Sequence, residues 1–201
     1  VRITHRSCGA TDVAPELTCS HCAAPVNARD VSVLQPPSAK IRELTLKKAV
    51  YRRAAASRGT GTTHLPLPEC MEIVGDKWTI EILVIVFMRV GSFVDIQKFS
   101  GISSNVLSDR LARLLKLGLL RQTTPEEAGR AGSYRITDKG VAFYPILIAI
   151  QAWADEWLPD RMRSPLPLHH QPCNRPLKLS VACNACGDAM TAETCDICIT
   201  D

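Results

Sequence analysis

The sequence predicts a mainly α-helical domain with a small β wing, flanked by two small cysteine-rich modules. Three observations support this prediction. Apolar runs in the middle of the chain alternate with turn residues, two short strand-like stretches surround a polar loop, and cysteine pairs recur near both ends. A chain of 201 residues is long enough for one ordinary domain with small appendages.

Composition and hydropathy exclude several classes of protein. The hydrophobic fraction of 46% and the charged fraction of 22% are ordinary for a globular protein and exclude wholesale disorder. The longest apolar runs, residues 82–88 and 141–150, fall short of the roughly 18 residues that a membrane helix needs. The first residues do not have the pattern of a secretory signal. We therefore expect a cytoplasmic protein with no membrane partner.

Positive charge is concentrated in one segment. The net charge of the chain is +4, whereas residues 40–58 hold seven basic residues and one acidic residue, a net charge of +6. Such a run predicts a polyanionic partner. Proline and glycine residues bound the segment, so residues 34–68 are interpreted as a basic linker that is partly helical. A backbone-binding arm and a solvated tether are equally compatible with it.

A motif of histidine and cysteine occurs twice, about one domain length apart. It reads His-x2-Cys-x10-Cys-x2-Cys near the start and His-x2-Cys-x9-Cys-x2-Cys near the end. The repeat predicts two small modules of similar structure, residues 1–33 and 159–201. The residues of the first motif are His5, Cys8, Cys19 and Cys22, and those of the second are His170, Cys173, Cys183 and Cys186.

The spacing of these residues favours zinc. Two ligands three residues apart can reach one ion from a tight turn, and two such turns complete a tetrahedron of thiolate and imidazole ligands. We expect one structural ion in each repeat, because four protein ligands leave no open position. Unligated reduced thiols and disulfides remain as alternatives. A further pair, Cys195 and Cys198, has no second half in the sequence.

The middle of the chain shows the pattern of three helices. Residues 78–88 are apolar on nearly all sides, which is typical of a core helix. A glycine break follows, and apolar residues with a period of three predict a short second helix over 93–99. Ser103 is a favourable N-cap for a third helix, which is predicted to end at Gly118. The third helix has an apolar face of leucines and an opposite polar face rich in serine, asparagine and arginine.

Two strands and a long helix complete the pattern. Strands are predicted over 119–123 and 133–137, on either side of a polar loop. The last helix, predicted over 138–158, is strongly apolar and contains Pro145. It carries more apolar surface than one small domain can bury, so we expect it to pack on a second copy of the chain.

This order of elements is the plan of a winged helix-turn-helix domain, predicted over residues 69–158. The major groove of DNA is about 12 Å wide and admits one helix, while a wing reaches the neighbouring backbone or minor groove. Residues 98–135 hold seven basic and three acidic residues, a net charge of +4. We predict that double-stranded DNA contacts Lys98, Ser103, Ser104, Asn105, Ser108, Arg110, Arg113, Arg121, Arg130 and Arg135.

Several motifs in this region resemble those of one family. The chain contains Gly75-Asp-Lys-Trp-Thr79, Gly101-Ile-Ser, Leu107-x2-Arg-Leu-x2-Leu114, Gly118-Leu-Leu-Arg121, Tyr134-Arg-Ile-Thr-x-Lys-Gly140 and Trp153-Ala-Asp-x-Trp. In this order they resemble the HxlR-type transcription regulators of the MarR-like superfamily. The resemblance covers residues 70–158 and implies a bacterial, dimeric DNA-binding regulator.

The resemblance implies two further features. The cysteine module is similar to tails that follow such domains, so residues 1–33 are interpreted as the tail of a preceding winged-helix unit in a tandem protein. Cys70 stands at the position of a sensing cysteine in the family, which makes it a candidate redox sensor, although Glu69 and Glu72 disfavour its thiolate. The turn Val90-Gly91-Ser92 lacks the arginine that is usual in the family.

Three classes of function compete for this sequence. A sequence-specific DNA-binding regulator is favoured by the polar helix face, the basic wing and the last helix. The alternative is a zinc-ribbon adaptor that uses the winged helix for protein contact, since residues 69–158 hold 10 basic and 11 acidic residues. An enzyme is disfavoured, because no catalytic triad, phosphate-binding glycine loop or paired carboxylates stand out.

Overall fold

The computed structural model describes residues 2–33, 71, 73–128, 132–158 and 168–198. The chain divides into two compact units, Pro37–Phe143 and Val1–Pro36 with Tyr144–Asp201, which we name the central unit and the terminal unit. The predicted linker at 34–68 lies outside the described residues. In the described ranges, no helix has the length and apolar character needed to cross a membrane.

Short strands and helices make up the described residues. In chain order they are β1 (Arg2–His5), β2 (Ala10–Thr11), β3 (Pro15–Cys19), β4 (Val31–Val33), α1 (Lys77–Phe87), α2 (Phe93–Ser100), α3 (Ser104–Lys116), β5 (Leu120–Gln122), α4 (Pro125–Ala128), β6 (Tyr134–Ile136), α5 (Asp138–Trp157), β7 (Leu168–His170), β8 (Arg175–Pro176), β9 (Leu179–Cys183) and β10 (Cys195–Cys198).

Helix α1 forms the centre of the central unit. Asp76 caps it, because its side chain accepts hydrogen bonds from the backbone N–H groups of Trp78 at 2.9 Å and Thr79 at 3.3 Å. All residues of the helix except Lys77, Thr79 and Glu81 are apolar. Four of the apolar side chains are buried, those of Ile82, Leu83, Ile85 and Val86. The predicted core helix is confirmed.

Helices α2 and α3 form the helix-turn-helix pair. The side chain of Ser92 caps α2 by accepting from the N–H of Asp95 at 3.1 Å, and Gly101 ends the helix with a φ of 69°. Helix α3 starts after Ser103 and ends before Gly118, whose φ is 70°. A positive φ is the left-handed conformation that glycine adopts without steric cost, so both boundaries follow from the sequence.

The wing is a two-stranded antiparallel ladder. Strands β5 and β6 pair Leu120 with Ile136 and Gln122 with Tyr134, so the ladder is shorter than predicted. The turn before α2 is joined to it, because the N–H of Tyr134 donates to the carbonyl oxygen of Gly91 at 2.7 Å. A Cβ at Gly91 would lie 2.5 Å from the carbonyl oxygen of Tyr134, so this close approach requires glycine. These elements give the central unit the predicted winged helix-turn-helix fold.

In the described part of the terminal unit, three strand pairings join the start of the chain to its end. The antiparallel pairs are β1 with β10, β3 with β9, and β4 with β7. Two edge strands complete the sheets, β2 beside β1 and β8 beside β7. The sequence-based interpretation set residues 1–33 and 159–201 apart as two modules, whereas in the structure the two segments form one unit.

The two segments pair reciprocally, as across a two-fold axis. Along β3 and β9, Pro15 faces Cys183 and Cys19 faces Leu179. Pro15 and Leu179 begin the equivalent strands of the two repeats, and Cys19 and Cys183 end them, so the first residue of each strand faces the last residue of the other. Both repeats also contain an equivalent backbone hydrogen bond, from an N–H group to the carbonyl oxygen five residues later. The N–H of Cys19 donates to Ala24 at 2.9 Å and that of Cys183 to Asp188 at 2.8 Å. The sequence repeat is therefore also a structural repeat.

The second half of α5 packs on the terminal unit. Ile148 is buried against Cys19 and Val26, and Tyr144 packs on the same cluster. Burial raises the pKa of Tyr144 to about 12. Other apolar side chains of this half remain exposed: Ile146 by 42%, Ile150 by 46%, Trp153 by 58% and Trp157 by 69%.

Substitution of Gly140 tests the packing of α5 against the wing. Alanine is normally favoured over glycine in a helix by roughly 0.5–1 kcal/mol. A Cβ at position 140 would lie 2.3 Å from the carbonyl oxygen of Leu119 and 2.8 Å from Cγ2 of Ile136. We therefore expect Gly140→Ala to lower the free energy of unfolding by roughly 1–3 kcal/mol, measured by urea denaturation.

The exposed Ala142 on the same helix provides the control. Ala142→Gly should lower the free energy of unfolding only by the roughly 0.5–1 kcal/mol of helix propensity. An increase in stability on Gly140→Ala would contradict the close approach of α5 to Leu119.

Candidate nucleic-acid interface and histidine–cysteine clusters

Helix α3 turns a polar face to solvent. Leu107, Leu111 and Leu114 are buried, with exposed fractions of 0% to 1%. Residues three and four apart share one face of a helix, so the leucine stripe determines which residues face outward. The predicted contact residues that are exposed on this face or next to it are Lys98, Ser103, Ser104, Asn105 and Ser108.

Arg110 has a different environment from the other residues of the polar face. Its guanidinium group forms an ion pair with Asp76, the cap of α1, and a second with Asp109. The side chains of Arg110 and Asp76 are only 28% and 15% exposed. Arg110 therefore ties α3 to the start of α1. Helix periodicity predicts Arg110 on the polar face, but no sequence pattern indicates Asp76 as its partner, because the two residues are far apart along the chain.

The arginines of the wing differ in their partners and in their exposure to solvent. Arg121 donates two hydrogen bonds to the carboxylate of Glu127, at 2.7 Å and 3.1 Å. This pairing raises the pKa of Arg121 and lowers that of Glu127. Arg135 is exposed and faces Arg121 in the ladder. Arg113 is half-buried, and Arg130 lies outside the described residues.

The structure groups the eight motif residues differently from the sequence repeats. One group contains His5 and Cys8 with Cys183 and Cys186, and the other contains Cys19 and Cys22 with His170 and Cys173. The grouping expected from the sequence, with all four residues of a site in one repeat, is therefore corrected: each group takes one pair of residues from each end of the chain. The cause is the antiparallel pairing of β3 with β9, which brings each Cys-x2-Cys turn to the His-x2-Cys turn of the other repeat.

The geometry of the two groups is nearly the same. Nδ1 of His5 lies 3.5 Å from Sγ of Cys8 and 3.4 Å from Sγ of Cys186. In the second group, Nδ1 of His170 lies 3.5 Å from Sγ of Cys22 and 3.3 Å from Sγ of Cys173. Both histidine rings are fully buried, and their Nε2 atoms have no hydrogen-bond partner in the described residues. The sulfur-facing atom is thus Nδ1 in both groups.

Backbone N–H groups favour negative charge on one thiol of each group. Burial raises the pKa of Cys19, but the N–H groups of His21 and Cys22 and the thiol of Cys173 outweigh it, so that the pKa is lowered overall. The pKa of Cys183 is lowered in the same way, since the N–H groups of Ala185 and Cys186, together with the thiols of Cys186 and Cys8, outweigh the effect of burial. Such N–H groups stabilise the thiolate, the form that binds metals.

The other cysteines belong to neither group. Cys195 is half-buried and pairs with His5 in the β1–β10 ladder, and Cys198 is exposed and pairs with Arg2. The pair therefore lies beside the first group without joining it. Cys70, the candidate redox sensor, lies outside the described residues.

Fold and site together define a winged helix-turn-helix protein of the transcription-regulator class. The chain belongs to the HxlR-like helix-turn-helix family, whose pattern matches residues 73–162.

Individual relatives are similar to this chain over 45% to 68% of its length. An uncharacterized HTH-type transcriptional regulator of Mycobacterium tuberculosis, MT3179, is 31% identical over 123 residues, which are 61% of this chain and 78% of that protein. YvaP of Bacillus subtilis, also named an uncharacterized HTH-type transcriptional regulator, is 31% identical over 45% of this chain and 84% of its own. The crystal structure of PA1607, a candidate transcription factor, superposes with a TM-score of 0.59 and 28% identity over 68% of this chain and 96% of its own.

A double-mutant cycle tests the link between Arg110 and the cap of α1. Asp76→Asn removes the charge but keeps a side chain that caps equally well. We expect the variants Asp76→Asn and Arg110→Gln to show a coupling of roughly 0.5–3 kcal/mol in the free energy of unfolding, because the ion pair is largely shielded from water.

The pair of Arg121 and Glu127 is the matched control. Both side chains are about half exposed, at 49% and 44%, so the coupling in the same measurement should be smaller. Equal coupling for the two pairs would contradict the assignment of Arg110 to the packing of α3.

Proposed function

We propose that this chain is a sequence-specific transcriptional regulator that binds double-stranded DNA as a homodimer. In this proposal, α3 enters the major groove and the wing contacts the neighbouring backbone. The observation that carries it is the exposed polar face of α3, which lies opposite a fully buried leucine stripe. The proposal involves no catalytic step.

The first turn of α3 has the chemistry for reading bases. Ser104, Asn105 and Ser108 are exposed, and their hydroxyl and amide groups can donate to or accept from base edges. Asparagine in particular matches the donor and acceptor pattern of adenine in the major groove. We assign base contacts to these three residues, while Arg110 holds the helix at its angle to α1 through Asp76.

Exposed basic side chains near both ends of the polar face of α3 can pair with phosphate groups of DNA. Lys98 lies near the end of α2, Lys116 ends α3, and Arg135 lies on the wing. Contacts of this kind set the position of a protein on the duplex and make its affinity depend on salt. Arg121, Arg113 and Arg130 remain proposed contacts, and Arg121 would have to exchange Glu127 for a phosphate.

The exposed side of α5 is the proposed dimer interface. Ile146, Ile150, Trp153 and Trp157 follow one another at spacings of four, three and four residues, so they form a single stripe along the helix. Two such stripes can interlock as in a coiled coil, and buried tryptophans contribute strongly to interfaces. A second copy of this chain carries the same stripe, which suits a symmetric contact.

DNA binding is tested with a duplex selected from a random pool by the full chain. We expect Asn105→Ala to weaken binding to this duplex by about 1–3 kcal/mol and to relax its specificity at one position. Lys98→Ala should weaken binding to all duplexes and lower the slope of log affinity against log salt by about one unit. Affinity and slope are measured by fluorescence anisotropy across a salt series.

Lys178→Ala is the control, because it removes an exposed lysine from the terminal unit. It should leave affinity and slope unchanged. Failure to select any duplex, together with salt-insensitive capture of a protein partner, would instead support an adaptor.

The dimer interface is tested by placing a charge in the stripe. Ile150→Glu should convert the dimer to a monomer in analytical ultracentrifugation, because a buried carboxylate in a symmetric interface meets its own copy. Val94→Glu alters a residue of α2 that is also exposed, by 55%, and should leave the dimer intact. A native chain that is monomeric at micromolar concentration would contradict the proposal.

A further inference from the structure

We propose that each of the two histidine–cysteine groups binds one zinc ion, and that each ion joins the start of the chain to its end. The outer site is formed by His5, Cys8, Cys183 and Cys186, and the inner site by Cys19, Cys22, His170 and Cys173. The sites are nested along the sequence, since the outer pairs of ligands enclose the inner ones. This inference goes beyond the proposed function and does not depend on DNA binding.

The distances between ligand atoms match a tetrahedral zinc site. Zn–S bonds of about 2.3 Å and Zn–N bonds of about 2.0–2.1 Å, at tetrahedral angles, place sulfur about 3.6 Å from nitrogen and about 3.8 Å from a second sulfur. The four nitrogen–sulfur distances quoted above run from 3.3 Å to 3.5 Å. The sulfur atoms of Cys19 and Cys173 are 3.9 Å apart, far beyond the roughly 2.05 Å of a disulfide bond.

The duplication provides independent support. The two sites take ligands from different residues, yet each combines one imidazole Nδ1 with three thiols in the same arrangement. In each, one cysteine is buried at the last residue of one of the two paired strands, Cys19 on β3 and Cys183 on β9. Because β3 and β9 pair in a fixed register, the same backbone arrangement positions both sets of ligands.

The donor set selects the type of ion and its role. Three soft thiolates and an imidazole suit zinc, whereas magnesium and calcium prefer oxygen ligands. Four protein ligands close the coordination sphere, so the ion has a structural role.

The terminal unit needs such a contribution. Its strands are two to five residues long, and its described residues bury few apolar side chains: Val13, Cys19, Val26, Leu147, Ile148, Ala182 and Cys183. Small domains with thin cores are usually stabilised by metals or disulfides, and metal binding then contributes directly to the free energy of folding.

Two double variants distinguish nested sites from one site in each repeat. Cys8, Cys22 and Cys186 are all exposed, so their replacement by serine creates no cavity. In the nested arrangement, Cys8→Ser with Cys186→Ser damages the outer site alone, whereas Cys8→Ser with Cys22→Ser damages both sites. Zinc per chain is measured by elemental analysis after gel filtration of the 201-residue chain.

The native chain should hold two zinc ions, the Cys8/Cys186 variant one, and the Cys8/Cys22 variant none. The reverse result for the two variants would show one site in each repeat and overturn the nested arrangement. A native chain without zinc would overturn the metal sites altogether.

Cobalt titration of the native chain gives a second readout that does not require a variant to fold. Co²⁺ added after chelation should saturate at two ions per chain, with the visible absorption of tetrahedral cobalt and the charge-transfer intensity of three thiolates for each ion. Saturation at one ion, or octahedral spectra, would contradict two equivalent four-ligand sites.

Discussion

The packing of α3 against α1 is the interaction on which the central unit depends. Three leucines of α3 and four apolar side chains of α1 are almost completely buried, and Arg110, in the middle of α3, forms an ion pair with Asp76 at the start of α1. Turning α3 about its axis would expose those leucines and bury serine and asparagine side chains, at a cost of several kcal/mol. The polar face of α3 is therefore presented to solvent as a consequence of the core.

A different constraint governs the terminal unit, namely the reciprocal pairing of the two ends of the chain. The two repeats lie in one chain, yet they contact each other as two subunits of a symmetric dimer would. The inner site shares its cluster with Tyr144 and Ile148 of α5, because Cys19 and Cys173 belong to that cluster as well. Order at the inner site and the position of the second half of α5 are thus coupled within this unit.

Local patterns predicted the central unit well, because its elements are set by interactions between near neighbours in sequence. Patterns of apolar residues located the three helices, and Gly101 and Gly118 marked the ends of α2 and α3. The eight motif residues were also found from their spacing. Their grouping was not, since it depends on the register of β3 and β9, strands about 160 residues apart. The partner of Arg110 was also missed, because Asp76 lies far from it along the chain. Residues 34–68, Cys70 and Arg130, for which predictions were made, lie outside the described residues.

Hydrogen exchange of the full chain, with and without its selected duplex, tests most directly whether α3 is the reading element. We expect duplex binding to add protection at the start of α3 and in the wing, residues 103–113 and 121–135. Protection confined to the terminal unit, or no change along α3 at a saturating concentration of duplex, would contradict it.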